Sequence, residues 1–331
     1  MFSRILIEKE YLTHPVTEKI IARFNKTPIK EISNIGDIFG RVKKPYLQKR
    51  DNLQLFLGKK RGKIIKEAPE AYGVKGEKHY YFIHAYNCIY ECEYCYLQGY
   101  FNSPDIVLFL NHEDIIKEMQ ELNTNSNETI WFHAGEFSDS LALSHLTGEL
   151  PIYHSFFKEN SNLKLELRTK SSNIKELLKL SPLPNFITSF SLSPASRVKK
   201  TDLKTPSLKH RLEAIKSLSD HGHPIGLHLD PVIHEDNFIT EYDNLFANIV
   251  SSIHPDNVEY ISIGVVRFTH DVYKQVEKNY PKSDLLAAEF ITSFDKKVRY
   301  PRPFRLWILS QIKEIAIRHG FASDQIYLCM E

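Results

Sequence analysis

The chain has 331 residues, 42% of them hydrophobic, with a formal net charge of +2 and four cysteines. That size and apolar content are enough for a large single core, and the near balance of charge excludes a generally polyanion-seeking surface, leaving any nucleic-acid contact to local patches. No apolar run reaches the roughly 18 residues that span a bilayer. The N-terminal Met1-Phe2-Ser3-Arg4 lacks a signal-peptide core, and three cysteines crowd one loop instead of framing disulfides, so a soluble protein of a reducing, cytoplasmic compartment is expected.

Residues 1–75 read as a separate N-terminal extension. Ile20, Ile21 and Phe24 recur at helical spacing and predict a helix over 17–24. Lys43-Lys44, Lys49-Arg50 and Lys59-Lys60-Arg61 then flank the strand-like run Leu53-Gln54-Leu55-Phe56-Leu57, predicting a basic, hairpin-like segment. Such a segment is either a solvated face or an arm that contacts phosphates.

Across 76–331 short apolar strands alternate with longer amphipathic stretches, the pattern of βα units around a parallel sheet. Strands are predicted over 80–85, 129–133, 163–167, 186–191, 224–229 and 258–263, with helices near 112–122, 144–158, 173–180, 206–220 and 239–253. The expected fold is therefore α/β, a partial (βα)6 barrel of the TIM type, completed by a helix over 303–318 and a closing strand over 325–328.

The first of these strands runs into Cys88-Ile89-Tyr90-Glu91-Cys92-Glu93-Tyr94-Cys95-Tyr96-Leu97-Gln98, at the strand end where β/α folds keep their reactive groups. Three thiolates on one short loop can hold three corners of a [4Fe-4S] cluster and leave the fourth iron open to a small molecule. A structural zinc ion usually takes four ligands from paired motifs, whereas here Cys329 lies at the far end of the chain and His84 precedes Cys88 at no familiar zinc spacing. A two-cysteine redox motif of Cys92 and Cys95 leaves Cys88 unexplained.

The C-x3-C-x2-C spacing, with Tyr94 before the last cysteine, resembles the signature of the radical S-adenosylmethionine (SAM) superfamily, and Cys95-Tyr96-Leu97-Gln98 resembles more narrowly the spore photoproduct lyase family. The likeness continues through Ser138-Asp139-Ser140, His145-Leu146-Thr147, Arg168-Thr169-Lys170, Phe190-Ser191-Leu192-Ser193, Gly264-Val265-Val266-Arg267-Phe268-Thr269 and the tail Tyr327-Leu328-Cys329-Met330-Glu331. It implies a lyase that uses a [4Fe-4S] cluster on Cys88, Cys92 and Cys95 to cleave SAM to a 5′-deoxyadenosyl radical, with a protein such as flavodoxin or ferredoxin as electron donor. The family's target is a methylene-bridged thymine dimer in DNA.

The same resemblance distributes the cofactor contacts. Ala134-Gly135-Glu136 resembles the G-G-E motif whose backbone holds the amino group of SAM, although an ordinary tight turn reads the same way. Lys170, ahead of Arg168, is matched to the SAM carboxylate, and Ser138, Ser191 and Ser193 join the contacts. Tyr94 and Tyr96 match the tyrosines that relay the radical.

One departure concerns the hydrogen donor. Where the DNA-repair members carry a donor cysteine, this chain reads Ala134-Gly135-Glu136-Phe137-Ser138-Asp139, with Glu136 aligned to the thiol, and a carboxylate cannot give up a hydrogen atom as a thiol does. Cys329 is the only thiol outside the loop, placed by the closing strand either at the barrel mouth or in the core. Lys296, Lys297, Arg299, Arg302 and Arg305, interleaved with Tyr300, Phe304 and Trp307, and a second group at Arg197-Val198-Lys199-Lys200, offer cations for phosphate and rings for an extruded base, or are plain surface charge. His133, His228, Asp139 and Asp230 are further strand-end candidates for acid, base or ligand roles. Three readings thus stand: a family member acting on damaged nucleic acid, a radical SAM enzyme with another substrate, and a non-catalytic cluster or zinc protein.

Overall fold

A computed structural model describes residues 2–42, 47–69, 76–123 and 128–329. The longest apolar runs become a curled eight-stranded sheet in the order Ile326–Leu328, Val258–Val265, Ile225–Val232, Phe186–Ser191, Leu163–Thr169, Ile130–Ala134, Lys78–Phe82, Ile65–Glu67. All neighbours are parallel except the last pair, in which Ile65–Glu67 runs antiparallel to Lys78–Phe82. Strands buried on both faces need no polar alternation, which is why Phe186–Ser191 is buried at every position. Helices His112–Asn123, Leu150–Glu159, Leu208–Asp220, Phe238–Ser252 and Arg302–Arg318 cover the outside, giving the partial TIM-type barrel that the periodicity predicts.

Local chemistry changes several predicted elements. The segment 144–158 is split into Ser144–Thr147 and Leu150–Glu159, because Gly148 caps the first piece in the left-handed conformation (φ +69°) and Pro151 fits the first turn of the second. Over 173–180 only the 3-10 turn Leu177–Lys179 forms. There Asn173 donates its backbone N–H to the Ser171 hydroxyl and its side-chain amide to the Leu141 carbonyl, a local alternative to helix bonding.

The N-terminal part is not a hairpin. Ile29–Ile32, Arg4–Glu8, Gln54–Gly58, Ile106–Phe109 and Ala85–Tyr86 form a second sheet in that order, and the Gln54–Gly58 strand pairs in parallel with both neighbours. A boundary at residue 75 therefore separates neither sheet from the other: Ala85–Tyr86 and Ile106–Phe109 belong with the N-terminal strands, and Ile65–Glu67 with the barrel. The Glu8 side chain is fully buried, accepting from Ile35 N (2.7 Å), Lys59 N (3.0 Å) and Arg61 (2.6 Å). A Cβ on Gly58 would meet the Glu8 carboxylate at 2.6 Å, so glycine is required for this approach. Arg61 also pairs with Glu10, and Lys59 with Asp114, so these two cations serve the fold instead of a phosphate-contacting arm. Lys43 and Lys44 of the predicted basic segment, and the Lys49 side chain, lie outside the described residues. Among the described residues, no helix is long and apolar enough to cross a membrane.

Candidate active site

The cysteine loop hangs between the two sheets. Past Lys78–Phe82 the chain leaves the barrel, and Ala85–Tyr86 pairs with Ile106–Phe109. Asn87, at φ +60° and fully buried, then turns it by donating to the carbonyls of Ser103 and Asp105, each at 2.7 Å. Arg50, itself 4% exposed, donates to the carbonyls of Cys88 (2.9 Å) and Tyr90 (2.6 Å) and to the Glu91 carboxylate (3.0 Å). On the far side Glu91–Cys92 pairs antiparallel with Asp202–Leu203, and Glu93 N donates to Thr201 O at 2.8 Å. The loop is thus fixed by its backbone from both sides, leaving the three free thiols to chemistry.

Burial pushes all three thiols up, Cys88 to about 12, while the Lys170 cation opposes the effect at Cys92 and Cys95. Thiolates here therefore require a cationic partner, as a metal centre supplies. Among the described residues, no three His, Cys, Asp or Glu side chains converge on a single ion.

Opposite the loop stand the ends of the second, third and fourth barrel strands. Ala134 is the buried last residue of Ile130–Ala134, and Gly135 follows at φ +102°. A Cβ on Gly135 would lie 2.9 Å from Arg168 O and 2.8 Å from the Ser140 hydroxyl, so no other residue fits without backbone movement. Glu136 and Ser138 are half-buried just beyond. The Asp139 carboxylate accepts from Leu141 N, Ala142 N, Thr169 Oγ1 and Lys170 N at 2.6–3.0 Å, welding this turn to the next strand end. Lys170 is thereby held with its Nζ 5.5 Å from the Tyr94 ring centroid. Burial works against the Lys170 charge, but Cys92 and Asp202 outweigh it and raise the ammonium pKa.

The Tyr94 hydroxyl donates to Asp202, and burial, with Asp202 adding to it, pushes its pKa far up. Asp202 in turn forms a wholly buried ion pair with Arg211 (2.9 Å). Arg211 also donates to Ser191 O (2.9 Å), Pro206 O (3.1 Å) and the Thr205 hydroxyl (2.6 Å), tying the loop's partner strand to the end of the fourth barrel strand. Ser191 and Ser193 are both buried at that end. Tyr96 is 37% exposed and makes an edge-on contact with Tyr100.

Cys329 follows the closing strand Ile326–Leu328, donates its N–H to Ile263 O (2.8 Å) and is 8% exposed. Parallel strands put it at the same barrel end as the cysteine loop. Burial and then Asp230 raise the thiol to about 11, against the Arg267 and Arg168 cations. Asp230 itself is bound by Arg267 through two 3.2 Å bonds. Deeper in the barrel the Glu166 carboxylate accepts from His133, Ser189 (2.6 Å), His228 (2.6 Å), Tyr260 (2.7 Å) and Arg168 (3.1 Å). Burial opposes its charge, yet Arg168, His228 and His133 hold the carboxyl well below the usual range. His133 and His228 are therefore partners of a buried carboxylate at the heart of the barrel.

The basic patches separate into structural and exposed members. Arg299 (4% exposed) binds Ser293 and Asp295, Arg305 (7%) donates to Tyr300 O, and Arg197 (2%) pairs with Glu235 and Asp284. Tyr300 is fully buried, so it stacks on no extruded base; Lys296, Arg302 and Trp307 remain exposed. The sequence reading did not find Arg50, Asp202 or Arg211 as site residues. Only an unusual demand for donors and acceptors around the loop marks them, and that is invisible before the loop has a shape.

A family model described as spore photoproduct lyase matches residues 2–307. Spore photoproduct lyase of Clostridium acetobutylicum is 24% identical over 290 residues, covering 86% of this chain and 84% of that protein. The Bacillus subtilis (strain 168) protein of the same name is 26% identical over 290 residues, covering 85% and 83%. Among solved structures, a mutant spore photoproduct lyase with dinucleoside spore photoproduct superposes with a TM-score of 0.84 at 21% identity, covering 99% of this chain and 98% of its own. A further mutant with bound AdoMet and dinucleoside spore photoproduct superposes with a TM-score of 0.84 at 20% identity.

Proposed function

The chain belongs to the spore photoproduct lyase family, whose members are lyases of the radical SAM type, and from this we propose that it binds a [4Fe-4S] cluster on Cys88, Cys92 and Cys95 together with SAM, and acts on a thymine photoproduct in nucleic acid. The observation that supports this most directly is the loop itself: three free thiols at one barrel end, its carbonyls held by Arg50, facing a lysine oriented through Asp139. When bound, cluster and SAM supply a 5′-deoxyadenosyl radical, which takes hydrogen from an unactivated carbon.

The protein's part is positioning. Lys170 neutralises the SAM carboxylate, and the Ala134-Gly135-Glu136 backbone receives its amino group where Gly135 permits close approach. Ser138, Ser191 and Ser193 complete the polar wall. Tyr94, its hydroxyl fixed on Asp202, and the more exposed Tyr96 form the radical relay beside the loop. Cys329, the one described thiol away from the loop, is the hydrogen-atom donor, kept as a thiol by burial at the barrel mouth. A flavodoxin or ferredoxin supplies the electron.

Glu136, standing where the repair members align their donor thiol, favours a second reading in which the same radical acts on a substrate other than nucleic acid. Anaerobic reconstitution with iron and sulfide, followed by dithionite and SAM, separates the two. Formation of 5′-deoxyadenosine together with thymine from a spore-photoproduct oligonucleotide is the expected result. Nucleoside without thymine supports the second reading, and no nucleoside from an iron-replete protein removes both.

A further inference from the structure

The inside of this barrel departs from the branched aliphatic filling usual for the architecture. Down one side runs a row of oxidisable side chains. Cys329 and Tyr327 lie two residues apart at the closing strand, so they share a face, separated by roughly 6–7 Å along it. The ladder still holds at Cys329, whose N–H bonds Ile263 O. Fully buried Ser262 is in register with Tyr327, and two residues lower on the same strand stands Tyr260, its ring centroid 5.6 Å from that of Tyr327. The Trp131 ring follows at 6.0 Å from Tyr260. It belongs to the second residue of Ile130–Ala134, towards the barrel end opposite the mouth. Tyr260 and Trp131 are both buried, and Tyr327 is half-buried.

Proton acceptors and donors accompany the row. The Tyr260 hydroxyl donates to the Glu166 carboxylate at 2.7 Å, and His133, which also bonds Glu166, shares a 2.9 Å bond with His79. The His79 ring stacks on Trp131 (5.9 Å), whose indole N–H donates to the half-buried Glu77 carboxylate. A phenol or indole loses an electron more readily when its proton has an acceptor in place. Lys164, with its Nζ 4.8 Å from the Trp131 ring centroid, works against oxidation of that ring. The indole therefore passes an oxidising equivalent on instead of storing it.

We propose that this row carries an oxidising equivalent stranded on Cys329 through the barrel to its far end, a repair route separate from Tyr94 and Tyr96. The proposal rests on the reading of Cys329 as hydrogen-atom donor, which leaves its sulfur one hydrogen short after each donation. The sulfur takes one electron and one proton from Tyr327 and is a thiol again, while Tyr327 becomes a neutral phenoxyl radical. Tyr327 is restored by an electron from Tyr260 and a proton from the Glu166 cluster, into which Tyr260 releases its own. Tyr260 is restored by an electron from Trp131 and a proton drawn from water through His79 and His133. The indole proton goes to Glu77, which returns it to water. A soluble low-molecular-weight thiol ends the sequence by giving the indolyl radical one electron and one proton, and two thiols so oxidised join as a disulfide.

The row is tested first without cofactors, driven from its far end in the full chain carrying Trp307→Phe, which leaves Trp131 as the sole tryptophan. Azide radicals made by pulse radiolysis oxidise the indole, and tryptophanyl and tyrosyl radicals are followed by their separate absorption bands. The expected result is decay of the first band into the second at a rate independent of protein concentration, and loss of that transfer when Tyr260→Phe is added. Transfer that is absent, or that survives Tyr260→Phe, overturns the proposal. The second readout uses the reconstituted chain with SAM and a spore-photoproduct oligonucleotide, and keeps the test open should Tyr260→Phe not fold. There Tyr327→Phe should make less product before inactivation, with oxidation found by mass spectrometry on Cys329; an unchanged yield per chain overturns the proposal. Cys329→Ala separates the two readings. If it quenches product radicals as the parent does, Cys329 is not the donor and the row has nothing to carry. If quenching is lost while Trp131 passes nothing to Tyr260, the donor stands and the repair route alone falls.

Discussion

Lys170 and Gly135 carry different burdens within the same few ångströms. Lys170 is fixed through its own N–H on Asp139, so its ammonium is aimed without help from a ligand. Lys170→Ala should weaken SAM binding about tenfold, the loss of a charge-assisted contact, while leaving iron content and the visible spectrum unchanged. An unaltered SAM titration would remove Lys170 from the site. Gly135→Ala meets both a left-handed backbone (φ +102°) and the Arg168 carbonyl at 2.9 Å. It should cost on the order of 1–3 kcal/mol in urea denaturation and reduce SAM binding as well, because the turn itself is the proposed contact. At Asp202 the issue is a missing partner: Asp202→Ala leaves Arg211 charged, buried and half-satisfied. About 3–5 kcal/mol of destabilisation is expected, measurable as a lower denaturation midpoint.

At the level of elements, Arg50 is the joint between the N-terminal sheet and the cysteine loop. Arg50→Ala should leave the fold intact by circular dichroism but lower the iron bound per chain after reconstitution, since two loop carbonyls lose their donor. Full iron loading in that variant would show that the partner strand Asp202–Leu203 suffices. Arg50 also shows why part of this molecule could not be read in advance. It sits in a run of lysines and arginines whose composition matches a solvated face, and only its 4% exposure reveals a structural cation. The barrel strands were legible because burial on both faces demands an unbroken apolar run, as in Phe186–Ser191. Arg4–Glu8 was not, because its last residue is a buried glutamate held by contacts to residues 35, 59 and 61. The cysteines were legible from spacing alone, whereas Asp202 and Arg211 enter the site only when a loop and a helix more than 100 residues downstream of it fold back, as the Tyr94–Asp202 separation of 108 shows.

Across the whole molecule, buried ionisable groups make stability depend on pH in opposing ways. Burial raises the Glu149 carboxyl from 4.5 to about 7. An acid shifted upward stays protonated in the native state while the unfolded chain ionises, so stability is lost progressively as pH rises from about 4.5 to 7. His84, lowered to about 4, and His112, lowered to about 3, act the other way: the unfolded chain takes up protons first, so stability is lost as pH falls below about 6.5. The three side chains line one small cavity. Glu149→Gln should remove only the first dependence, so the variant gains stability relative to the parent across pH 4.5–7 in paired denaturation curves. A difference that stays flat with pH would show that Glu149 is ionised in the folded protein.

The threading of one loop between two sheets also fixes an order of assembly. During synthesis Arg50 emerges before the cysteines it braces, but the N-terminal sheet cannot close until Ile106–Phe109 has followed them out, and the loop's other support arrives only with Asp202–Leu203. A nascent chain halted between those points carries all three thiols with half of their scaffold. On the cluster reading proposed above, iron delivered then would meet thiols free to form mismatched clusters or disulfides, so that reading places loading after Asp202–Leu203 has paired with the loop.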